Sequence, residues 1–263
     1  MAANKQKNEH TVTGKIRFEE MPKIRLLTNS GLFLWNGRPG ENGKKYIMGF
    51  QTFIKKLKSI EIASRADDPY ADRHMVKIEN WMNEAQEKLD SLNADLQTIM
   101  DSHHSRLVIP PSVVAHEVEV PVHEHAKLVW IALEILLNCD DAVKRVLDAS
   151  HTARISIEEK RSFLREAEGI CRHMMRSAYD YKFTGVTRRD VVQNNMKAKE
   201  AFDAMGEIER EYLEAVTRSK YAPPIDPEIV KSRSLKAQEF EQAQHETVQN
   251  DEESNAVAKE SAA

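Results

Sequence analysis

Hydrophobic residues recur every three to four positions along most of the chain, and this period predicts a mainly α-helical protein. The clearest repeat follows Asp68 and Pro69, a pair typical of a helix N-cap with proline at the first helical position. Beyond them, eight apolar residues alternate at intervals of three and four, which is typical of a coiled-coil seam. The seam consists of Met75, Ile78, Met82, Ala85, Leu89, Leu92, Leu96 and Ile99. It predicts association either with the same helix of a second subunit or with another helix of this chain.

Helical periodicity also predicts shorter helices elsewhere in the chain. Asn138–Asp140 interrupts one of them and is a candidate break between two helices, while Thr187–Asp190 has the pattern of a capping box. The predicted helices cover residues 31–36, 50–61, 125–149, 157–180 and 187–218.

Strand signals are confined to short segments in which alternate residues are apolar. Lys15–Phe18 and Lys23–Leu26 each place basic residues on one face and apolar residues on the other. Glu117–Val122 places valines on one face, with Glu117 and Glu119 on the other. The fold predicted from these patterns is mainly α, a helical body with a short β-ribbon.

The distribution of charge is more informative than the net charge of −4. Residues 1–58 contain 12 lysines and arginines against 4 acidic residues, whereas residues 59–151 contain 8 against 17. Residues 237–263 contain 1 basic and 7 acidic residues. This segregation indicates a basic surface for a polyanion near the N-terminus and an acidic, flexible tail.

The remaining composition argues against export, membrane insertion and catalysis. The chain has two cysteines without a CxxC pair, no signal-peptide core at its start and no apolar run long enough to span a bilayer, so we expect a cytoplasmic protein. Familiar nucleotide-binding, hydrolase and metalloprotease motifs are absent from the sequence. His116, His123 and His125 are interpreted as surface histidines, and the aspartates at 67, 68 and 72 as helix-capping residues. We therefore expect no enzyme activity, cofactor or metal.

Taken together, these patterns divide the chain into three regions. Residues 1–63 form a basic strand–helix region, and residues 64–225 form a helical body that contains the 75–99 seam helix. Residues 226–263 form a polar, acidic and largely disordered tail.

The basic strands have two interpretations. Short strands need a partner, and pairing with the same strand of a second subunit would create a ribbon of the kind that reads the major groove of DNA. A strand followed by two helices fits a ribbon-helix-helix unit of this type. Alternatively, the lysines and arginines protect the edge of a sheet against aggregation.

Two motifs of the helical body resemble a known family. Asp67–Asp72 (DDPYAD) at a helix start, Trp81 within that helix and Gly185–Val191 (GVTRRDV) before Ala204–Gly206 are similar to the AcaB family of conjugative plasmids and integrating conjugative elements. The resemblance extends over residues 23–225. It implies a ribbon-helix-helix-type activator of conjugative transfer genes, with the ribbon in the segment Ile24–Arg38.

The resulting hypothesis is a homodimeric DNA-binding activator. Lys23 and Arg25 are predicted to reach base edges in double-stranded promoter DNA, and the helical body is predicted to supply the dimer interface and a contact for RNA polymerase. The predicted phosphate contacts are Lys15, Arg17, Lys44, Lys45, Lys55, Lys56 and Lys58.

Three alternatives remain open at this stage. Glu117–Val122 is a rival ribbon strand, although its outward glutamates have the wrong sign for phosphates. The protein could instead be a structural or adaptor subunit of a conjugation complex without sequence-specific DNA binding. A metal-dependent nuclease or relaxase accessory is the third reading, and it requires a bound metal.

Overall fold

The computed structural model describes residues 19–40, 45–102, 104, 106–109, 112–114 and 116–229. Within them the fold is mainly helical, as predicted, with one small antiparallel sheet. The strands are β1 (Lys23–Leu26) and β2 (Val118–Pro121), and the helices are α1 (Asn29–Asn36), α2 (Phe50–Arg65), α3 (Pro69–Asp101), α4 (Lys127–His151), α5 (Ile157–Arg176), α6 (Arg188–Val192), α7 (Met196–Met205) and α8 (Arg210–Leu213).

Helix α3 begins where the sequence predicts. The Asp68 side chain accepts hydrogen bonds from the backbone N–H groups of Tyr70 and Ala71, at 2.8 and 3.1 Å, and Pro69 is the first helical residue. Two of the donors that every helix start leaves unpaired are therefore satisfied by one carboxylate.

The heptad seam of α3 is covered by helices of the same chain. Its residues from Met75 to Leu96 are buried, and Ile99 is partly buried against the same core. Helix α3 packs on α2, α4 and α5. The intramolecular alternative is therefore confirmed, and the seam does not provide the surface on which a second subunit would associate.

Helix α4 runs without interruption from Lys127 to His151, so the predicted break at Asn138–Asp140 is wrong. Cys139 is fully buried in the core of the body. Asp140 is buried as well, because its carboxylate binds the segment that joins β1 to α1 rather than its own helix. A tertiary contact thus accounts for a polar residue in the middle of the helix.

The C-terminal part of the body is more broken than its periodicity predicts. Helix α5 is opened by a capping box of Ser156 and Glu159 and ends at Arg176, four residues before the predicted end. The single helix predicted for residues 187–218 is wrong. The chain takes a left-handed conformation at Asn194 (φ 47°) and at Gly206 (φ 77°), and these turns separate α6, α7 and α8.

The two strands predicted at Lys23–Leu26 and Glu117–Val122 pair with each other. Their register places Arg25 opposite Glu119 and Ile24 opposite Val120. Ile24 and Leu26 are buried in the core that the helices share, whereas Lys23 and Arg25 are exposed. The alternation predicted for β1 is confirmed, and the segments regarded as rival ribbon strands are neighbours in one sheet.

Candidate nucleic-acid interface

The outward face of the sheet is where the structure places the two predicted base-reading residues. The side chains of Lys23 and Arg25 are 55% and 68% exposed. Both contact Glu119 of β2, with Lys23 Nζ 3.5 Å and Arg25 Nε 3.1 Å from its carboxylate. The hydrogen bond from Arg25 and the nearby ammonium of Lys23 lower the pKa of Glu119. One carboxylate thus faces two cations, and this part of the face keeps a single positive charge.

The backbone of β1 has one edge that faces away from β2. Val122 N–H donates to the carbonyl of Pro22 at 2.8 Å, which makes this a hydrogen-bonded pair of the antiparallel ladder. Since such pairs alternate, Ile24 and Leu26 direct their backbone groups to β2, and Lys23 and Arg25 direct theirs to the opposite edge. Within the part of the chain that the structure describes, no strand pairs with that edge.

The junction between β1 and α1 is fixed by the buried carboxylate of Asp140. It accepts hydrogen bonds from Leu27 N–H at 2.6 Å and from Thr28 Oγ1 at 2.5 Å, and Thr28 Oγ1 in turn caps α1 by accepting from Gly31 N–H at 3.0 Å. Burial raises the pKa of Asp140, and the bonds from Thr28 and Leu27 oppose that rise. The strand and the helix that follows it are therefore held at a fixed angle to α4.

The predicted phosphate contacts are dispersed over different surfaces. Lys55 is exposed and lines a surface cavity of about 330 Å³ together with Val120 and Pro121 of β2. Lys56 lies on another side of α2, where its Nζ donates to the carbonyl of Ala178 at 3.3 Å.

The other predicted phosphate contacts fall into two groups. Lys58 Nζ lies 3.9 Å from the carboxylate of Glu61, and Lys45 is exposed in the connection between α1 and α2. The remaining predicted contacts, Lys15, Arg17 and Lys44, lie outside the described residues, as do the predicted strand 15–18 and the tail after residue 229.

The two family-like motifs meet in a buried ionic cluster that sequence reasoning did not anticipate. Arg188 is 1% exposed, and its guanidinium donates to Asp67 at 2.8 Å and to Asp72 at 2.5 Å. Asp72 also accepts from Arg218 at 2.9 Å and from Ser64 at 2.5 Å. These contacts tie the start of α3 to α6 and to the segment after α8, so the motifs serve the fold.

Asp68 and His74 are two titratable groups next to this cluster whose pKa values burial shifts in opposite directions. Burial raises the pKa of Asp68 to about 6, against hydrogen bonds from Ala71, Tyr181 and Tyr70 that lower it. Burial also lowers the pKa of His74 to about 4, although its Nδ1 donates to the Tyr70 carbonyl at 2.8 Å. Tyr181 lies between them, with its hydroxyl 2.9 Å from Asp68 and its ring against the His74 ring.

The opposite pKa shifts of Asp68 and His74 predict that each group makes stability depend on pH, and variants of each residue can separate the two effects. Between about pH 4 and pH 6 folding takes up a proton at Asp68, so the contribution of Asp68 to stability falls as pH rises. Over the same range folding releases a proton from His74, whose contribution therefore rises with pH. The Asp68→Asn variant lacks the contribution that falls with pH. The free energy of unfolding of this variant, relative to wild type, should therefore increase by about 1.4 kcal/mol per pH unit from pH 4 to pH 6. Urea denaturation at successive pH values measures this difference.

The control for this measurement is the complementary variant. His74→Gln removes the rising contribution, so its stability relative to wild type should fall across the same pH range. A difference between Asp68→Asn and wild type that does not change with pH would contradict a carboxyl titrating near pH 6.

Among the residues that the structure describes, no three or more His, Cys, Asp or Glu side chains are arranged to hold a metal ion. The same part of the chain has no helix that is both long and apolar enough to cross a membrane.

Comparison with known proteins gives one match. The family model described as transcriptional regulator AcaB matches residues 13–226 and thus most of the chain. Neither the curated proteins nor the solved structures contain a significant match.

Proposed function

The chain belongs to the AcaB family of transcriptional regulators, and we propose that it regulates transcription by binding double-stranded promoter DNA as a homodimer, with β1 as the reading strand. The observation that carries the proposal is the outward pair Lys23 and Arg25 on a strand whose second edge pairs with no strand among the described residues. The strand is followed by α1 and α2, which is the element order of a ribbon-helix-helix unit.

The open edge of β1 suggests how a dimer would assemble. Antiparallel pairing of β1 with the same strand of a second subunit satisfies the outward backbone groups of Lys23 and Arg25 in both copies. The two β1 strands would form the centre of a four-stranded sheet, with β2 at each side. Two lysines and two arginines would then lie at the centre of the face turned to the DNA, with a Glu119 carboxylate on each side. The two central β1 strands are the part that would enter the major groove, which admits a two-stranded ribbon.

The contacts between the cations and Glu119 do not prevent this role. An exposed ion pair is screened by solvent and contributes little, so Lys23 and Arg25 can exchange the carboxylate for a base edge or a phosphate at low cost. Arginine is well suited to a base edge, because its planar guanidinium binds guanine through two parallel hydrogen bonds.

The remaining regions take supporting roles in the proposal. Residues 1–63 supply the DNA contact, residues 64–225 hold β1 and α1 in place, and residues 226–263 contribute an acidic tail. The regulated genes are conjugative transfer genes, which the protein activates in the cytoplasm with RNA polymerase as a further partner of the helical body.

The test is binding to promoter fragments of transfer genes, measured by fluorescence anisotropy against scrambled duplexes of equal length. The proposal predicts a preferred fragment whose affinity falls by about 10³–10⁵ between 50 and 200 mM salt, as expected for roughly six to ten phosphate contacts. A structural adaptor would bind no fragment preferentially, and binding that is indifferent to salt would contradict the mechanism.

A further inference from the structure

Helix α5 carries a row of arginines that the sequence analysis did not identify as functional. Positions 161, 165, 172 and 176 are separated by four, seven and four residues, so they lie on one face of the helix over about 22 Å. The opposite face is buried through Ala167, Cys171 and Met174. We call this row, which consists of Arg161, Arg165, Arg172 and Arg176, the arginine ridge.

Most of the charge on the arginine ridge is uncompensated. Arg172 pairs with Glu168 at 2.8 Å. Arg161, Arg165 and Arg176 are exposed, and within the described part of the chain no ion pair links them to a carboxylate. Arg161 and Arg165, like Arg172 and Arg176, are four residues apart, a spacing at which like charges destabilise a helix. An external anion would relieve this repulsion.

The middle of the ridge is open to a large partner. Gly169 is exposed there, and a Cβ added to it would meet no atom of the described residues within 4 Å. Glycine inside a helix is less favourable than alanine, and no close packing among the described residues requires it. The gap allows the backbone of a polyanion to approach α5 between the two arginine pairs.

The ridge lies beside the strand–helix unit of the proposed reading surface. Ser30 on α1 donates to Glu168 at 2.8 Å, and Glu168 is the residue that pairs with Arg172 of the ridge. Helix α1 begins three residues after β1 ends. Helix α1 therefore links the two elements, because it follows β1 in the chain and contacts the helix that carries the ridge.

We propose that the arginine ridge binds the phosphate backbone of double-stranded DNA and extends the interface beyond the sheet. This inference rests on the proposed function for its partner, but it assigns a different contact. The ridge adds affinity without sequence preference, because phosphates are the same at every site. Base reading remains with β1.

The test replaces Arg161, Arg165 and Arg176 by glutamine, which removes three charges and keeps helix propensity. Binding is measured on a promoter duplex and on a scrambled duplex over a series of salt concentrations. We expect equal losses of affinity on both duplexes and a slope of log K against log salt that is less steep by about 3. A matched triple variant, Arg189→Gln with Lys197→Gln and Lys199→Gln, makes the same charge change at exposed residues of α6 and α7 and should leave the slope unchanged.

The outcomes separate this inference from the proposed function. A wild-type salt slope in the ridge variant, with an unchanged thermal melt, would overturn the ridge as a DNA contact. Normal DNA binding by the ridge variant together with a loss of transcription would also overturn the ridge as a DNA contact, and it would indicate an acidic protein as the partner. If wild type prefers no promoter, the proposed function fails, while the scrambled duplex still decides the role of the ridge.

Discussion

Replacing Arg188 by alanine is expected to lower the free energy of unfolding by about 3–5 kcal/mol. The side chain is buried and forms ion pairs with Asp67 and Asp72, which are buried too. Removing the guanidinium leaves two carboxylates in a low-dielectric interior with the partly exposed Arg218 as the remaining cation of the cluster. Because folded domains are stable by about 5–15 kcal/mol, a loss of this size removes a large fraction of the total.

Urea denaturation followed by far-UV circular dichroism measures the effect as a shift of the midpoint at constant slope. The matched control is Arg189→Ala on the same short helix, where the side chain is exposed, and its stability should stay within about 0.5 kcal/mol of wild type. A loss below about 1 kcal/mol in Arg188→Ala would contradict the view that the motif cluster holds the fold together.

Local signals in the sequence were sufficient to predict the structure where a residue acts on its immediate neighbours. Asp68 and Thr187 cap the helices that follow them because the capping geometry involves only the next three residues. The alternation of β1 correctly separates buried Ile24 from exposed Lys23 and Arg25. The heptad seam was correctly identified as buried, yet its spacing does not distinguish a partner in the same chain from one in another.

Two features that could not be predicted from the sequence depend on contacts between distant residues. Asp140 resembled a helix break because its partners, Leu27 and Thr28, are more than 110 residues away. The burial of Arg188 had no local signal, since its partners Asp67 and Asp72 are also more than 110 residues away. The pairing of β1 with β2 did have a signal. Opposite charges on facing strands, here Arg25 and Glu119, favour antiparallel partners.

The second large effect is expected at the sheet. Replacing Lys23 and Arg25 by alanine should cost about 1–3 kcal/mol of binding free energy for each side chain that reads a base. Both side chains point outward from β1, so their removal should leave the core, and hence the free energy of unfolding, nearly unchanged. The affinity for the promoter duplex should fall much more than the affinity for a scrambled duplex. Parallel titrations of the two duplexes at fixed salt measure this loss of preference.

Glu119→Gln provides a control of opposite sign at the same place. It removes the carboxylate that competes with DNA for Lys23 and Arg25, so we expect tighter binding to both duplexes. If the cations merely protected a sheet edge, neither variant would alter DNA binding. Unchanged promoter preference in the double alanine variant would place base reading outside β1. Weaker binding after Glu119→Gln would indicate that this carboxylate helps to hold the cations in their reading positions.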